Sequence, residues 1–198
     1  MIAVSEAAFA KLASTGTPQG VIALVRPPAW NLEQLLQGRT LVTILDGVQD
    51  PGNAGAIVRA AEAFGATGVA FLKGSVNPFN PKCLRASAGS LFRLPVIAAL
   101  EESLLTAALL ERHVTIYAAH PRSERLASTV DLTCNCAIAI GSEGRGVSAA
   151  IERLATGVRI PTRGVESLNA AVAAGIFLYE ASRQRAHLDA PARTGDRP

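Results

Sequence analysis

The stretch LVTILDGVQDPGNAGAIVRAAEAFGA, residues 41–66, decides the fold class of this chain. The apolar run that opens it ends in turn-forming residues, which predicts a strand buried on both faces, as in a parallel sheet. Asn53 is a good helix N-cap, and Ile57, Ala61 and Phe64 then lie on one face of a helix. A buried strand that leads into an amphipathic helix predicts an α/β unit.

The same alternation continues along the chain. We predict further strands at 67–74, 114–120, 134–141 and 157–161, and a short one at 21–25. We predict helices at 82–90, 101–112 and 148–155, and a long last helix at 166–185. This order indicates an α/β domain with a mainly parallel sheet. Neither GxGxxG after the first strand nor GxxxxGK[ST] occurs, which argues against dinucleotide and P-loop folds.

The composition suits one compact domain, with 198 residues of which 49% are hydrophobic and 18% charged. No apolar run reaches the ~18 residues of a membrane span, and the first residues carry no secretion signal. The net charge of +3 permits a polyanionic partner without requiring one. Cys83, Cys134 and Cys136 form no CxxC pair and the histidines are scattered, so we expect reduced thiols in a cytoplasmic protein and no zinc site.

Three polar, glycine-bearing loops follow predicted strands, at 47–55, 141–147 and 161–167. Ligands of open α/β sheets bind beyond the carboxyl ends of the strands, so the three loops together predict one composite pocket. Each loop taken alone is also explained by turn geometry, which favours glycine in any protein.

The helix after the first loop carries Gly55, Arg59 and Glu62 on the face opposite its apolar residues. A glycine one turn below an arginine leaves room for another group to approach the helix backbone. The alternative is a solvated helix face with ordinary charges.

Residues 166–169, ESLN, place three hydrogen-bonding side chains at the start of the last helix. Capping of that helix by Glu166 or Ser167 is the simpler explanation. The rest of the helix is apolar on nearly all sides, which favours a partner subunit that covers it.

Three segments together resemble the motifs of the SpoU/TrmH family of RNA ribose 2′-O-methyltransferases, within the SPOUT superfamily. They are LDGVQDPGNAGAIVRAAEAFG, IAIGSEGRGVS and IPTRGVESLNAAVAAGIFLYE. The segment STGTPQGVIALV also resembles the one that joins this family's N-terminal substrate domain to its catalytic domain. The similarity spans about residues 14–186, and three motifs in this order and spacing make it specific.

The resemblance implies a parallel-sheet SPOUT fold whose C-terminal segment threads a loop to make a deep trefoil knot, although true knots are very rare in proteins. It also implies S-adenosylmethionine bound in the knot, RNA as the partner, an obligate homodimer and no membrane association. The expected domains are a remnant or linker of a substrate-binding domain at 1–37, a catalytic domain at 38–186 and a disordered tail at 187–198. The family usually carries a further N-terminal domain that grips RNA, whereas about 30 residues precede the body here, so a shortened chain and a minimal member both fit.

The family's catalytic residues carry over to Asn53 and Arg59 in the first motif, Glu143 in the second, and Ser167 and Asn169 in the third. The resemblance implies that residues of both subunits lie near each site. The expected cofactor pocket consists of Ala119, Gly141, Ser142, Glu143, Ile160, Ser167, Leu168 and Asn169.

By resemblance, Arg59 handles the proton of the ribose hydroxyl, and Asn53 and Glu143 orient Arg59 and the loops. A guanidinium has a pKa above about 12, so it is a poor base. In one reading an RNA phosphate takes the proton while Arg59 stabilises the developing alkoxide. In the other, a dry site lowers the pKa of Arg59 by several units. We prefer the first reading, and we expect no metal because the leaving group departs neutral.

Two alternatives stay open on the same fold: a non-catalytic RNA-binding protein and a base methyltransferase. A non-catalytic RNA-binding protein would keep the excess of basic residues but lose the polar catalytic residues of the motifs. All five of those residues are present here: Asn53, Arg59, Glu143, Ser167 and Asn169. Both tRNA and rRNA remain possible substrates, and no nucleotide is indicated.

Overall fold

The computed structural model describes residues 1–13 and 19–189, with side chains described through residue 186. Within that part, six strands form one sheet, and every neighbouring pair is parallel. The strands are β1 (Leu41–Asp46), β2 (Gly68–Leu72), β3 (Val96–Leu100), β4 (Thr115–Ala119), β5 (Cys136–Gly141) and β6 (Thr156–Val158). Their order in the sheet is β3-β2-β1-β5-β4-β6. The predicted α/β class and parallel sheet are confirmed.

The described residues also form seven helices; the first has no buried residue, and the other six cover both faces of the sheet. They are α1 (Glu6–Leu12), α2 (Leu32–Leu35), α3 (Pro51–Ala63), α4 (Pro81–Ala86), α5 (Glu102–Glu111), α6 (Ala149–Leu154) and α7 (Ala170–Asp189), with a 3₁₀ turn at Ser90–Phe92. One core lies between the sheet and α3, α4 and α7, and the other lies between the sheet and α2, α5 and α6. β1 is buried along its whole length, as a central parallel strand must be.

One predicted element is absent from the fold, and two observed elements were not predicted. Residues 21–25 form no strand, and Val21 and Leu24 are exposed. Conversely, the edge strand β3 was not predicted, because its five residues include two exposed alanines and stand directly before α5. Helix α2 was not predicted either, yet its Leu35 is fully buried against the sheet.

The first motif's helix begins earlier than predicted. Asp50, not Asn53, is the N-cap of α3, and its carboxylate accepts the backbone N–H of Asn53 at 2.7 Å. Pro51 occupies the first helical position, where a missing N–H has no cost. The side chain of Asn53 is therefore available for contacts with other loops.

The last helix begins later than predicted, at Ala170. Asn169 caps it, since the Asn169 side-chain oxygen accepts the N–H groups of Ala171 and Val172 at 2.9 and 3.3 Å. Neither Glu166 nor Ser167 has the capping role, and both lie in the exposed segment before the helix. This leaves residues 166–168 to line the space above the sheet.

Close packing of α3 against α4 explains why residue 55 is glycine. A Cβ at Gly55 would lie 2.4 Å from the carbonyl oxygen of Cys83, so α4 can approach α3 this closely only because residue 55 is glycine. Glu62, on the same face, pairs with Arg93 at 2.6 Å. The group that approaches the backbone is thus α4, and Arg59 is exposed beside this contact.

Some predicted segments lie at or beyond the limits of the described residues. Helix α7 continues through Asp189, so the predicted tail overlaps it by three residues, and the remainder of the tail lies outside the described part, as does the turn-rich 14–18. Among the described residues, no helix combines the length and hydropathy needed to cross a bilayer.

Candidate active site

The three motif loops meet at the carboxyl end of the sheet, and Asn53 joins them. The Asn53 side-chain amide donates to the Glu143 carboxylate at 3.0 Å. The Asn169 amide donates to the Asn53 side-chain oxygen at 3.1 Å. Two hydrogen bonds therefore connect residues 90 and 116 positions apart in sequence. The chain folds so that its three glycine-bearing loops share one polar cluster.

A cleft of about 470 Å³ opens beside this cluster, between the ends of β4, β5 and β6 and the start of α7. Seven of the eight residues predicted for the cofactor line it: Ala119, Gly141, Ser142, Glu143, Ile160, Ser167 and Leu168. The eighth, Asn169, does not line the cleft; it bonds to Asn53, which bonds in turn to Glu143 in the cleft wall. We call this space the first cleft.

A second cleft of about 300 Å³ lies on the other side of residues 141–145, which line both spaces. Its opposite wall is the loop between β1 and α3, including Asp50 and Asn53. The Asn53 backbone N–H and the Lys82 ammonium lower the pKa of Asp50, so this carboxylate is ionised at neutral pH. Two concavities that share one wall can hold two ligands side by side.

The shared wall is a tight hairpin. The N–H of Ser142 donates to the Gly146 carbonyl at 3.0 Å, and the N–H of Gly146 donates back at 2.9 Å. A Cβ at Gly141 would lie 2.0 Å from the Gly146 carbonyl carbon, which no rearrangement of side chains could relieve. Glycine at 141 is therefore required by the close approach of two backbone segments.

Asp46, at the end of β1, is a positioning residue that the sequence analysis missed. Its carboxylate accepts the backbone N–H of Ser148 at 2.6 Å, and the Ser148 hydroxyl donates to Glu102 at 2.6 Å. These bonds hold the far end of the hairpin against the sheet and α5. A nearly buried carboxylate at the end of a central strand, directly before a motif loop, is the signal that could have identified it.

Arg59 stands apart from the cluster within one chain. It lies six positions beyond Asn53 on α3, which is about 9 Å along the helix axis and about 120° around it. Its side chain is exposed, and the guanidinium makes no hydrogen bond or ion pair with any residue that the structure describes. One chain therefore brings Asn53, Glu143 and Asn169 together but leaves Arg59 outside.

The three cysteines form no disulfide, and burial keeps two of them in the unreactive thiol form. Burial raises the pKa of Cys83 to about 11 and that of Cys136 to about 12, so both thiols stay protonated at neutral pH. Across the described residues, no three His, Cys, Asp or Glu side chains are grouped so that they could hold a metal ion.

Known proteins are similar in sequence to this chain over the region that contains the site. Residues 40–179 match the model of the SpoU rRNA methylase family. The 23S rRNA (guanosine-2′-O-)-methyltransferase RlmB of Xanthomonas campestris is 40% identical over 156 residues, which are 78% of this chain and 63% of that protein. The 23S rRNA (guanosine(2553)-2′-O)-methyltransferase RlmP of Bacillus subtilis is 35% identical over 178 residues, which are 89% of this chain and 70% of that protein.

Solved structures share the fold. The SpoU methyltransferase AviRb from Streptomyces viridochromogenes, in complex with the cofactor AdoMet, has a TM-score of 0.76 and 32% identity, over 81% of this chain and 66% of that one. This chain thus spans about two thirds of the length of the relatives and structures that it matches. The matched region contains the whole Asn53 cluster and both clefts. The chain belongs to the SpoU rRNA methylase family.

Proposed function

We propose that this chain is an S-adenosylmethionine-dependent methyltransferase that methylates a ribose 2′-hydroxyl in RNA. The observation that carries the proposal is the pair of clefts on either side of the 141–145 wall, with the Asn53 cluster at their junction. A methyl donor in the first cleft and a ribose in the second would meet at this wall. The relatives are named as ribose methyltransferases of 23S rRNA, so large-subunit rRNA is the substrate to test first, and the proposed setting is the cytoplasm.

The residues of the first cleft fit S-adenosylmethionine. Its volume of about 470 Å³ lies in the roughly 300–1,000 Å³ range of small-molecule sites. Ala119, Ile160 and Leu168 supply apolar surface suited to an adenine ring, while Ser142 and the hairpin backbone supply hydrogen-bonding groups. When bound, this cofactor supplies an electrophilic methyl group on a positively charged sulfur.

The chain's own residues would lower the activation barrier by stabilising the charge that develops on the ribose oxygen and by orienting the ribose. Methyl transfer forms a C–O bond to the ribose as the S–C bond breaks, and the 2′-oxygen must give up its proton. In the proposed mechanism an RNA phosphate oxygen accepts that proton. Arg59 stabilises the negative charge that develops on the 2′-oxygen, as a preorganised cation can in a dry site. Asn53 and Glu143 fix the wall between the clefts, Ser167 lines the first cleft, and Asn169 holds the Asn53 side chain in place.

A homodimer belongs to this proposal, because one chain leaves Arg59 outside its own cluster. Val172, Ile176 and Tyr179 form an apolar stripe on α7 at helical spacing and are 51%, 37% and 55% exposed. An exposed apolar stripe next to the site is typical of a subunit interface. Pairing through α7 would bring Arg59 of the partner subunit to the cluster.

The chain path also supports a C-terminal trefoil knot. The loop between β4 and β5 bonds to the chain after β6, where the N–H of Ala127 donates to the Arg159 carbonyl at 2.9 Å. The same loop bonds to α7, where the Gln184 amide donates to the Val130 carbonyl at 3.1 Å and accepts the N–H of Leu132 at 2.9 Å. The loop thus contacts the C-terminal segment on both sides of the third motif, as expected if that segment passes through it.

The test is to locate the transferred methyl group. Unmodified large-subunit rRNA is incubated with the protein and methyl-labelled S-adenosylmethionine, with and without EDTA, and digested for mapping. We expect the label on a ribose 2′-oxygen at the same yield in both samples, because no step uses a metal. Label on a base would make the chain a base methyltransferase, and no transfer to rRNA or tRNA pools despite cofactor binding would favour the non-catalytic alternative.

A further inference from the structure

Arg145 is held at the boundary between the two clefts. It is exposed and lines both spaces. Its backbone N–H donates to the Ser142 hydroxyl at 3.3 Å inside the hairpin. The hairpin itself is closed by two backbone hydrogen bonds between Ser142 and Gly146. Arg145 therefore lies on a hydrogen-bonded hairpin at the junction of the two clefts.

Arg145 is also the one cation among the described residues that line the second cleft. The two anions there, Asp50 and Glu143, already have partners: Asp50 bonds to Lys82 at 3.0 Å and Glu143 to Asn53. The Arg145 guanidinium has no hydrogen bond or ion pair within the described chain. An arginine presented without a partner in a cleft is suited to an oxyanion, since its planar fork matches phosphate in a bidentate manner.

We propose that Arg145 binds a backbone phosphate of the RNA and so positions the ribose in the second cleft against the methyl donor in the first. This inference rests on the proposed function, and it identifies the phosphate-binding residue that the preferred mechanism needs. A phosphate held at the 141–145 wall is adjacent to the ribose that reacts there. Arg145 is a positioning residue, because its role is to hold the phosphate in place and not to take the proton or to meet the 2′-oxygen itself.

The test compares R145Q and R145K with the matched control R153Q, whose arginine is exposed on α6 and lines neither cleft. The probe is unmodified large-subunit rRNA, with binding measured over a range of salt concentrations. For R145Q we expect RNA affinity about tenfold lower and a log–log salt slope that is less negative by about 0.7–0.9, the loss of one phosphate contact. R145K should keep most of the slope, and R153Q should resemble the wild type.

A second measurement separates the phosphate from the other anionic group that Arg145 could meet, the carboxylate that S-adenosylmethionine would bring to the first cleft. Calorimetry with S-adenosylmethionine should give R145Q and wild type the same affinity within about twofold if Arg145 serves the RNA. A tenfold loss of cofactor affinity, or an RNA salt slope equal to that of R153Q, would overturn the inference. Failure of the proposed function is distinguishable, because the wild type itself would then transfer no methyl group to ribose.

Discussion

Replacement of Arg59 by alanine is expected to lower the rate of methyl transfer by about 10²–10³, the usual loss when one preorganised charge-stabilising group is removed. Affinity for S-adenosylmethionine should change little, because Arg59 lies outside the first cleft. Single-turnover kinetics with saturating cofactor and RNA measures the chemical step directly. A wild-type single-turnover rate at saturation, reached only at higher RNA concentrations, would instead assign Arg59 to RNA binding.

The conservative R59K variant is the matched control for this prediction. Lysine keeps the positive charge but lacks the planar fork of guanidinium. We expect an intermediate rate, with part of the charge stabilisation retained. If R59K methylated RNA at the full wild-type rate, the role given to this side chain would be wrong.

Mixed dimers test whether Arg59 acts on the cluster of the other subunit. R59A and E143A chains are each expected to be nearly inactive alone. In a randomly exchanged mixture, half of the dimers would be mixed, and each of these would contain one intact site, so about a quarter of the wild-type activity should return. No recovery, despite subunit exchange shown with two affinity tags, would place Arg59 and Glu143 in the same subunit's site.

Replacement of Arg185 by methionine is expected to lower the free energy of unfolding by about 3 kcal/mol or more. Arg185 is 9% exposed. Its guanidinium donates to four backbone carbonyls at 2.6–2.9 Å, those of Arg39, Thr40, Leu132 and Cys134. Removal of the guanidinium leaves these carbonyls without that donor in a buried place, and among the described residues only the Gln184 hydrogen bonds then join α7 to the loop before β5.

Thermal unfolding at fixed protein concentration measures this effect, since a dimer's midpoint depends on concentration. For a chain of this length the loss corresponds to roughly 6–12 °C in the midpoint. The matched control is R183M, two positions away, whose arginine is exposed and pairs only with Glu180 among the described residues; it should cost under about 1 kcal/mol. Equal shifts for the two variants would contradict the bonding role of Arg185.

Much of this fold could be predicted because its signals are local. β1 and α3 follow from an apolar run and a helical period within 25 residues, and the glycine-bearing loops follow from strand ends. The correct N-cap of α3 was also indicated by the nearby sequence. In DPGN, proline suits the first helical position, so Asp50 before it was the better N-cap than Asn53.

The rest depends on contacts between distant residues, which periodicity does not encode. Arg185 resembles any charge on a long helix, and its role becomes visible only when carbonyls 51 to 146 positions away in sequence surround it. The same holds for Asp46, whose partner Ser148 is 102 positions away. Helix patterns identified Gly55 as a place of close approach, but only the fold shows that α4 is the element that approaches.

Calorimetric titration of S-adenosylmethionine into wild type and G141A tests whether the hairpin at Gly141 forms the wall of a methyl-donor site. We predict one binding site per chain in the wild type, unaffected by EDTA, and at least about a tenfold loss in G141A, because the added Cβ must displace the hairpin backbone. Far-UV circular dichroism confirms that the variant stays folded. The absence of binding heat in the wild type, or equal affinity in a folded G141A variant, would show that this hairpin does not form the wall of a methyl-donor site.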